Sequence, residues 1–288
     1  MKITRRELGK MTLAAAAFPW LETDLKMPKP NSKFAGVQIG AQSYSFRDRP
    51  LDEAIAGMLA VGISSCELWQ GHIEPKISNR EELRKWRLTA PLDMFKQVRK
   101  KFKQSGIQLY AYNLSFRRDF TDEEIDRGFQ MAKALGVKAI TASSHVSIAK
   151  KIDQYARRYK IPVGMHNHSR IAADEYARPE DFAEAMNGAS RYIAINLDIG
   201  HFTAANYDPI AYIEQHHDRI VTLHIKDRKK NQGDNMPFGE GETKIVEVLQ
   251  LLRDRKFKIP ANIEFEYRGE AIPEMKKCVE YCRKALAS

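Results

Sequence analysis

Cysteine is scarce in this chain, which has three among its 288 residues: Cys66, Cys278 and Cys282. No CxxC pair and no Cys/His zinc-binding spacing occurs, so the sequence excludes a disulfide framework and a zinc-finger module. Cys278 and Cys282 stand four positions apart in a helical pattern, and Cys66 lies in a predicted strand. The three thiols are therefore interpreted as buried packing residues.

Several signatures of other protein classes are missing as well. Neither GxGxxG nor GxxxxGK[ST] occurs, which excludes the common nucleotide fingerprints, and no repeat or low-complexity segment is present. The net charge is +10, yet no long Lys/Arg block occurs. Dispersed charge of this kind indicates solvated helix faces, and we expect no nucleic-acid partner. The sequence is compatible with a homo-oligomer.

The first residues have the pattern of an export signal. Residues 4–10 read TRRELGK, and a short apolar run follows over Met11–Leu21. A bilayer span needs about 20 apolar residues, so we expect no stable membrane insertion of the mature chain. The paired arginines resemble the twin-arginine signal, although an ordinary basic tail is the alternative. We predict export signal and linker over residues 1–33, a periplasmic location, and one domain over residues 34–288.

Beyond this segment, strand-like and helix-like patterns alternate eight times. Eight regular units favour a closed (β/α)8 TIM barrel of the α/β class over an open sheet. A single domain of this length is ordinary for that fold. The predicted strands are Gly36–Gln42, Ser64–Leu68, Ile107–Tyr112, Val137–Ala142, Ile161–His166, Ile193–Leu197, Ile220–Ile225 and Ala261–Phe265.

Some helix boundaries can also be predicted. Thr121 and Glu124 have the spacing of a capping box, and Gly136 would end that helix. The charged stretch 79–105 holds one or two helices, with an internal boundary at Pro91.

Four short β-type runs end in ionisable residues. They lie in VGMHNH over Val163–His168, IAINLDIGHF over Ile193–Phe202, VTLHIKD over Val221–Asp227 and IEFEY over Ile263–Tyr267. Because the carboxyl ends of all strands meet at one face of a barrel, such residues can share one metal ion.

Each of these residues also has an ordinary explanation when it is taken alone. Asp198 could cap a helix, His224 could be a hydrogen-bonded core histidine, and a polar strand face could explain one of Glu264 and Glu266. Their occurrence at the ends of four successive strands favours the metal site, since a barrel interior does not accept unpaired charge.

These motifs resemble the sugar phosphate isomerase/epimerase family of xylose isomerase-like TIM barrels. The resemblance covers about Gly36 to the C-terminus and is strongest over Asp198–Glu266. It rests on Asp198-x-x-His201, on His224-x-Lys226-Asp227, on the Gly239–Gly241 loop and on Ile263–Glu266. Relatives include ketose 3-epimerases, inosose dehydratases and hydroxypyruvate isomerases.

The resemblance implies a metal held by Glu, Asp, His and Glu from strands five to eight. The matching residues are Asp198, His224 and Glu264, with Glu266 as the alternative for the last position. The first glutamate is replaced here, since the strand end reads Met165–His168, MHNH. Either His166 binds the metal, or a nearby carboxylate such as Glu175 does. The HxH pattern resembles the dehydratase and keto-sugar branch.

We assign roles on chemical grounds. A divalent ion between a carbonyl and a hydroxyl oxygen acidifies the carbon between them, and a base must then take the proton. Mixed nitrogen and oxygen ligands favour Mn²⁺, Zn²⁺, Co²⁺ or Fe²⁺. The predicted metal ligands are His166, Asp198, His224 and Glu264. The predicted catalytic residues are His168 as the acid–base group, Glu67, Glu264 and Lys226. The predicted substrate contacts are His201, Trp69, His72 and Glu266.

The leading hypothesis is an isomerase or epimerase that acts on a sugar or keto-sugar through a metal-stabilised enediolate. A lyase or dehydratase acting on a keto-sugar, keto-glycoside or inosose is the alternative, and a non-catalytic sugar-binding protein or a nuclease are the other hypotheses. His145 is a further candidate at the barrel mouth. Aromatic residues in the loops after strands serve packing or line the mouth: Tyr44, Phe46, Trp69, Phe116 and Phe238.

Overall fold

A computed structural model describes residues 29–288, so most of the predicted export signal lies outside the described residues. Over that range, no helix combines the length and the apolar character that crossing a membrane requires. The short segment Lys33–Phe34 pairs antiparallel with the first barrel strand. Ser32, just before it, is fully buried.

Eight parallel strands close into a barrel, because β1 pairs with both β2 and β8. The predicted (β/α)8 fold is confirmed, and every strand boundary lies within two residues of its predicted position. The strands are β1 (Val37–Gln42), β2 (Ser65–Trp69), β3 (Gln108–Asn113), β4 (Ala139–Ala142), β5 (Val163–His166), β6 (Ile193–Asp198), β7 (Ile220–Ile225) and β8 (Ala261–Ile263).

β8 ends two residues earlier than predicted. The backbone N–H of Phe265 donates to Ser45 Oγ at 2.9 Å instead of to a neighbouring strand. The last backbone bond to β7 is from the Glu264 N–H to the carbonyl oxygen of Ile225 at 3.1 Å, and the side chains of Glu264 and Glu266 lie at the barrel mouth.

Ten α-helices occur within residues 29–288. They are α1 (Leu51–Ala60), α2 (Arg80–Thr89), α3 (Leu92–Ser105), α4 (Asp122–Leu135), α5 (Ala149–Tyr159), α6 (Pro179–Met186), α7 (Ile199–Ala204), α8 (Pro209–His216), α9 (Ile245–Asp254) and α10 (Ala271–Ala287). Pro91 separates α2 from α3, as predicted, because proline lacks the N–H that a continuous helix needs. The Thr121–Glu124 capping box is present at α4. Helix α7 was not predicted.

The apolar core lies between the strands and the surrounding helices, and includes the buried Phe95, Phe129 and Leu249. The barrel interior beneath the mouth is polar instead. Asn262 Nδ2 there donates to Thr222 Oγ1 at 2.8 Å. Gly40 of β1 makes this packing possible, since a Cβ at that position would lie 2.1 Å from Asn262 Oδ1.

Candidate active site

Four side chains from successive strands converge at the carboxyl end of the barrel. His166 and Asp198 end β5 and β6, His224 lies near the end of β7, and Glu264 follows β8. One nitrogen or oxygen atom from each lies within 4.8 Å of the others. All four residues are buried, and Asp198 is completely so. Residues that are 98 positions apart in the chain thus form one compact cluster.

The donor atoms of this cluster fit a divalent cation. His166 Nε2, Asp198 Oδ2 and His224 Nδ1 are buried, and within residues 29–288 none of them makes a hydrogen bond of acceptable geometry, although Lys226 Nζ lies 3.2 Å from Asp198 Oδ2. Such orphaned polar atoms are costly unless something binds them. His166 Nε2 lies 3.6 Å from Asp198 Oδ2, and His224 Nδ1 lies 3.2 Å from Glu264 Oε2. Ligands about 2.1 Å from a shared ion are spaced by about 3–3.5 Å. Two imidazoles and two carboxylates suit the mixed-ligand metals.

Glu67 holds His224 from below the cluster. Its Oε1 accepts hydrogen bonds from His224 Nε2 at 2.9 Å, Thr141 Oγ1 at 2.6 Å and Gln42 Nε2 at 2.8 Å. Its Oε2 accepts from Asn262 Nδ2 at 3.1 Å. Because His224 Nε2–H donates to Glu67, Nδ1 faces the cluster and would be the nitrogen that binds a metal, as in carboxylate–histidine–metal arrangements. Glu67 is fully buried and does not line the cavity.

Lys226 brings a positive charge beside the cluster. Its Nζ lies 2.8 Å from Glu264 Oε2, 3.2 Å from Asp198 Oδ2 and 2.5 Å from Glu266 Oε2. Burial opposes the ammonium form, but the three carboxylates outweigh burial and raise the pKa of Lys226. Three carboxylates surround this lysine and Glu67 adds a fourth below the cluster, and this excess of negative charge also favours a bound cation.

His201 is held by an arginine that the sequence analysis did not single out. Arg228 donates from one guanidinium nitrogen to His201 Nδ1 at 2.7 Å and to Ser169 Oγ at 2.8 Å. An accepting Nδ1 places the ring proton on Nε2. Burial lowers the pKa of His201 well below its usual range, even though Asp198 opposes this. A neutral ring accepts at only one nitrogen, and the shorter contact, with Arg228, leaves the proton on Nε2, which lies 3.2 Å from Lys226 Nζ and 3.9 Å from Asp198 Oδ2.

His168 lies on the other side of the cluster and is exposed in the cavity. Its ring centre is 5.0 Å from that of His166 and 5.3 Å from that of His201. Desolvation within the cavity, together with the neighbouring His166 and Lys226, lowers the pKa of His168 to about 4. A neutral imidazole near pH 7 can accept a proton.

Asp227 accounts for two glycines, Gly239 and Gly241, in the loop that follows β7. Its carboxylate accepts hydrogen bonds from the backbone N–H groups of Gly239, Gly241 and Thr243 at 2.8, 3.0 and 3.1 Å. A Cβ on Gly241 would lie 2.1 Å from Asp227 Oδ1. Asp227 thus anchors the loop beside the barrel mouth, and only a glycine permits this approach.

A cavity of about 400 Å³ lies over the cluster. Such a volume is in the range of small-molecule sites. The predicted residues that line it are Trp69, His166, His168, His201, His224, Lys226, Glu264 and Glu266. The other lining residues lie at or after the ends of β1, β3 and β4. Tyr44 is the only one of them that was predicted, and the others are Gln42, Asn113, Ser115, Arg117 and Ser143. Only their position after a strand could have indicated them, and polar residues are common there.

His72 lies behind Trp69 and is not among the cavity-lining residues. Its Nδ1 is 2.9 Å from Ser43 Oγ, and its Nε2 is 3.3 Å from the carbonyl oxygen of Phe46. Its ring packs edge-on against Trp69, with 5.5 Å between centres. These contacts indicate that His72 supports Trp69, and its predicted contact with substrate stays a prediction.

The remaining candidates lie away from the cluster. Glu175 pairs with Arg170 at 2.6 Å, so the structure brings His166 rather than Glu175 into the ligand set. Phe46 and Phe116 are fully buried packing residues, and Phe238 packs edge-on against Tyr281.

Comparison with known proteins identifies the fold family. The family model described as xylose isomerase-like TIM barrel matches residues 60–285. An uncharacterized protein of Methanocaldococcus jannaschii is 24% identical over 142 residues. That match covers 48% of this chain and 48% of the relative, so the chain spans about half the length of the curated relative it matches.

Solved structures share the fold at low identity. A sugar phosphate isomerase/epimerase from Parabacteroides distasonis is 16% identical, with a TM-score of 0.64 over 90% of this chain and 98% of that one. The 3-keto-D-glucoside 4-epimerase YcjR from E. coli is 15% identical, with a TM-score of 0.65 over 86% and 99%. The probable 3-DHS dehydratase AsbF from Bacillus anthracis is 15% identical, with a TM-score of 0.65 over 85% and 98%.

Proposed function

Because the chain belongs to the xylose isomerase-like TIM barrel family, we propose that it is a divalent-metal-dependent isomerase or epimerase of a sugar or keto-sugar. The observation that supports this most is the buried cluster of His166, Asp198, His224 and Glu264, three of which carry orphaned donor atoms. Sugar isomerases and epimerases among the structural neighbours agree with the proposal.

The residues of the cavity have complementary parts in this reaction. A divalent cation in the cluster would acidify the carbon between a carbonyl and a hydroxyl oxygen. His168, exposed and neutral, takes the proton from that carbon. Lys226 Nζ and His201 Nε2–H donate to the oxygen on which negative charge develops. Because Arg228 donates to His201 Nδ1, the ring proton of His201 stays on Nε2.

An elimination is the second candidate, and the position of Glu67 favours it. An epimerase that works with two bases needs one on each face of the substrate carbon. Glu67 is buried below the cluster and its carboxylate accepts four hydrogen bonds, so it cannot approach a substrate without a rearrangement. A dehydration needs only one base, because the same group can protonate the departing hydroxyl. The dehydratase among the structural neighbours is consistent with this alternative.

Solvent exchange tests the proposal directly. The Mn²⁺-loaded protein is incubated with a panel of keto-sugars and inososes in deuterated water and followed by NMR. We expect deuterium at the carbon beside the carbonyl, and an epimer or isomer as the product. A product that has lost one water would establish the elimination. Binding without any exchange would overturn both and favour a sugar-binding protein.

Two variants locate the chemistry within the cavity. His168→Gln should abolish exchange and retain the metal, because it removes the base but no ligand. His217→Gln is the matched control, since its ring stacks on Phe257 at the surface, with 4.2 Å between centres. Equal exchange in wild type and His168→Gln would exclude His168 as the base.

We also propose that residues 1–33 direct export by the twin-arginine route. Fusing them to a folded reporter should place it in the periplasm, and replacing Arg5 and Arg6 by lysine should keep it in the cytoplasm. An unchanged distribution would contradict this proposal.

A further inference from the structure

A second cavity, of about 670 Å³, adjoins the catalytic cavity. The two share Trp69, Ser115 and Arg117 in their linings. The second cavity extends outward over the loops after β2, β3 and β4 and includes His145. A ligand that fills both is longer than one that fills the catalytic cavity alone.

Trp69, at the junction, is held in a fixed position. Its ring lies edge-on to Tyr44, 5.0 Å away, and to His72, 5.5 Å away. Gly71 leaves room for the indole, because a Cβ there would lie 2.3 Å from the ring. Aromatic rings held in this way can pack against the apolar face of a sugar at little entropic cost.

The wall of the second cavity is rigid as well. Gln70 Oε1 accepts from the backbone N–H of Ser115 at 2.9 Å, and its Nε2 donates to Glu74 Oε2 at 2.7 Å. Arg87 donates to both oxygens of Glu74, at 2.7 and 2.9 Å. This chain of hydrogen bonds ties the loop after β2 to helix α2 and to the loop after β3.

Arg117 differs from the other arginines that line this cavity. Arg80 pairs with Asp119, Arg87 with Glu74, and Arg118 with Asp174. Arg117 has no carboxylate partner among residues 29–288 and is exposed at the boundary of the two cavities. An unpaired guanidinium favours an anionic oxygen group through charge-assisted hydrogen bonds.

We propose that the second cavity binds a second ring of the substrate, and that Arg117 binds an anionic group on it. The substrate is then an acidic disaccharide or glycoside whose reacting ring occupies the catalytic cavity. This inference rests on the proposed function, which supplies the reacting ring. The anionic group is a carboxylate, a sulfate or a phosphate, because these share the oxygen geometry that a guanidinium binds.

Calorimetric titration of the Mn²⁺-loaded protein tests the subsite independently of turnover. The probes are cellobiose, its analogue with a carboxylate at C6 of the non-reducing ring, and the corresponding 6-phosphate. We expect at least one acidic probe to bind about five times more tightly than cellobiose, with the preference falling as salt is added. The two acidic probes together show whether a carboxylate or a phosphate is preferred.

Neighbouring arginines provide the matched variants. Arg117→Gln should remove the preference for the acidic probe, and Arg118→Gln should retain it, because Arg118 is already paired. Equal binding of acidic and neutral probes by the wild type, binding of none of them, or equal loss in the two variants would overturn the proposal. Deuterium exchange on a neutral keto-monosaccharide is measured in parallel, and its absence counts against the proposed function rather than the subsite.

Discussion

The two halves of the barrel contribute different chemistry to one cavity. Strands β5–β8 deliver the ionisable groups, with two histidines and two carboxylates in the cluster and Lys226 beside it. Strands β1–β4 and their loops deliver neutral polar and aromatic groups, among them Gln42, Asn113 and Trp69, and one charged lining residue, Arg117. Under the proposed function, the second half would carry out the reaction, and the first half would support it and surround the substrate.

One carboxylate connects the two halves. Glu67 comes from β2, yet it receives hydrogen bonds from His224 of β7 and Asn262 of β8. The first half therefore orients His224, a proposed metal ligand of the second half. Substitutions in the second half should therefore impair metal binding or turnover directly, whereas those in the first half should act through the residues that they support. Four substitutions test this difference.

The largest effect is expected at a ligand of the second half. Asp198→Asn should lower metal affinity by more than about hundredfold and abolish turnover, since a direct ligand matters more than its supporting residues. The fold should survive, because asparagine can still accept the His201 N–H bond that caps α7. Metal content and turnover are the measurements.

Asp208→Asn is the matched control for that change. Asp208 also caps a helix, accepting from the N–H of Ile210 at 2.9 Å, but lies outside the cluster. It should retain metal and activity. Normal metal content in Asp198→Asn would show that the cluster has been misinterpreted.

Lys226→Met should separate metal binding from catalysis. Removing the ammonium leaves Asp198 and Glu264 with less opposing charge, so metal affinity should rise or stay constant. Turnover should fall by about 10²–10³-fold, the usual cost of losing one donor to a developing oxyanion. Metal affinity and kcat are measured on the same preparation. If both fall together, Lys226 has only a structural role.

The charged half of the site could be predicted from sequence, and physical reasons explain why. Asp198, His224 and Glu264 are ionisable residues within apolar strand ends, where they are expensive to bury, so their presence demands an explanation. The alternation of strands and helices likewise predicted the barrel. The short helix α7 was missed because six residues give too little periodicity.

The neutral half could not be predicted in the same way. Gln42, Asn113 and Ser115 follow strands, where polar residues are common in turns whether or not they bind anything. In the charged half, Arg228 was also missed, because it stands among other charged residues after β7 and nothing in its neighbours indicates the contact with His201. The position of Glu67 under the cluster depends on strands far apart in the chain. Only the three-dimensional arrangement distinguishes it from a residue at the cavity surface.

Glu67→Gln should have an intermediate effect and sharpen the comparison. An amide cannot hold the His224 proton as a carboxylate does, so metal affinity should fall by about 10–100-fold, with activity restored at high metal concentration. Glu74→Gln is the control, since Glu74 is a carboxylate of the same half that pairs with Arg87. Lost activity that excess metal does not restore would instead support a direct catalytic part for Glu67.

The smallest effect is expected at His72. His72→Gln removes ring contacts with Trp69 and disturbs the bond with Ser43, so the free energy of unfolding should fall by about 1 kcal/mol. The kcat should be unchanged. A large fall in kcat without a change in denaturant unfolding would confirm the contact with substrate predicted from the sequence.

The central claim is that one divalent cation is shared by four strand ends. Anomalous diffraction from Mn²⁺-soaked crystals, recorded above and below the manganese edge, tests it most directly. We expect a single strong peak within about 2.5 Å of His166 Nε2, Asp198 Oδ2, His224 Nδ1 and a Glu264 oxygen. A map without that peak, or with manganese bound only elsewhere on the protein, would contradict the claim.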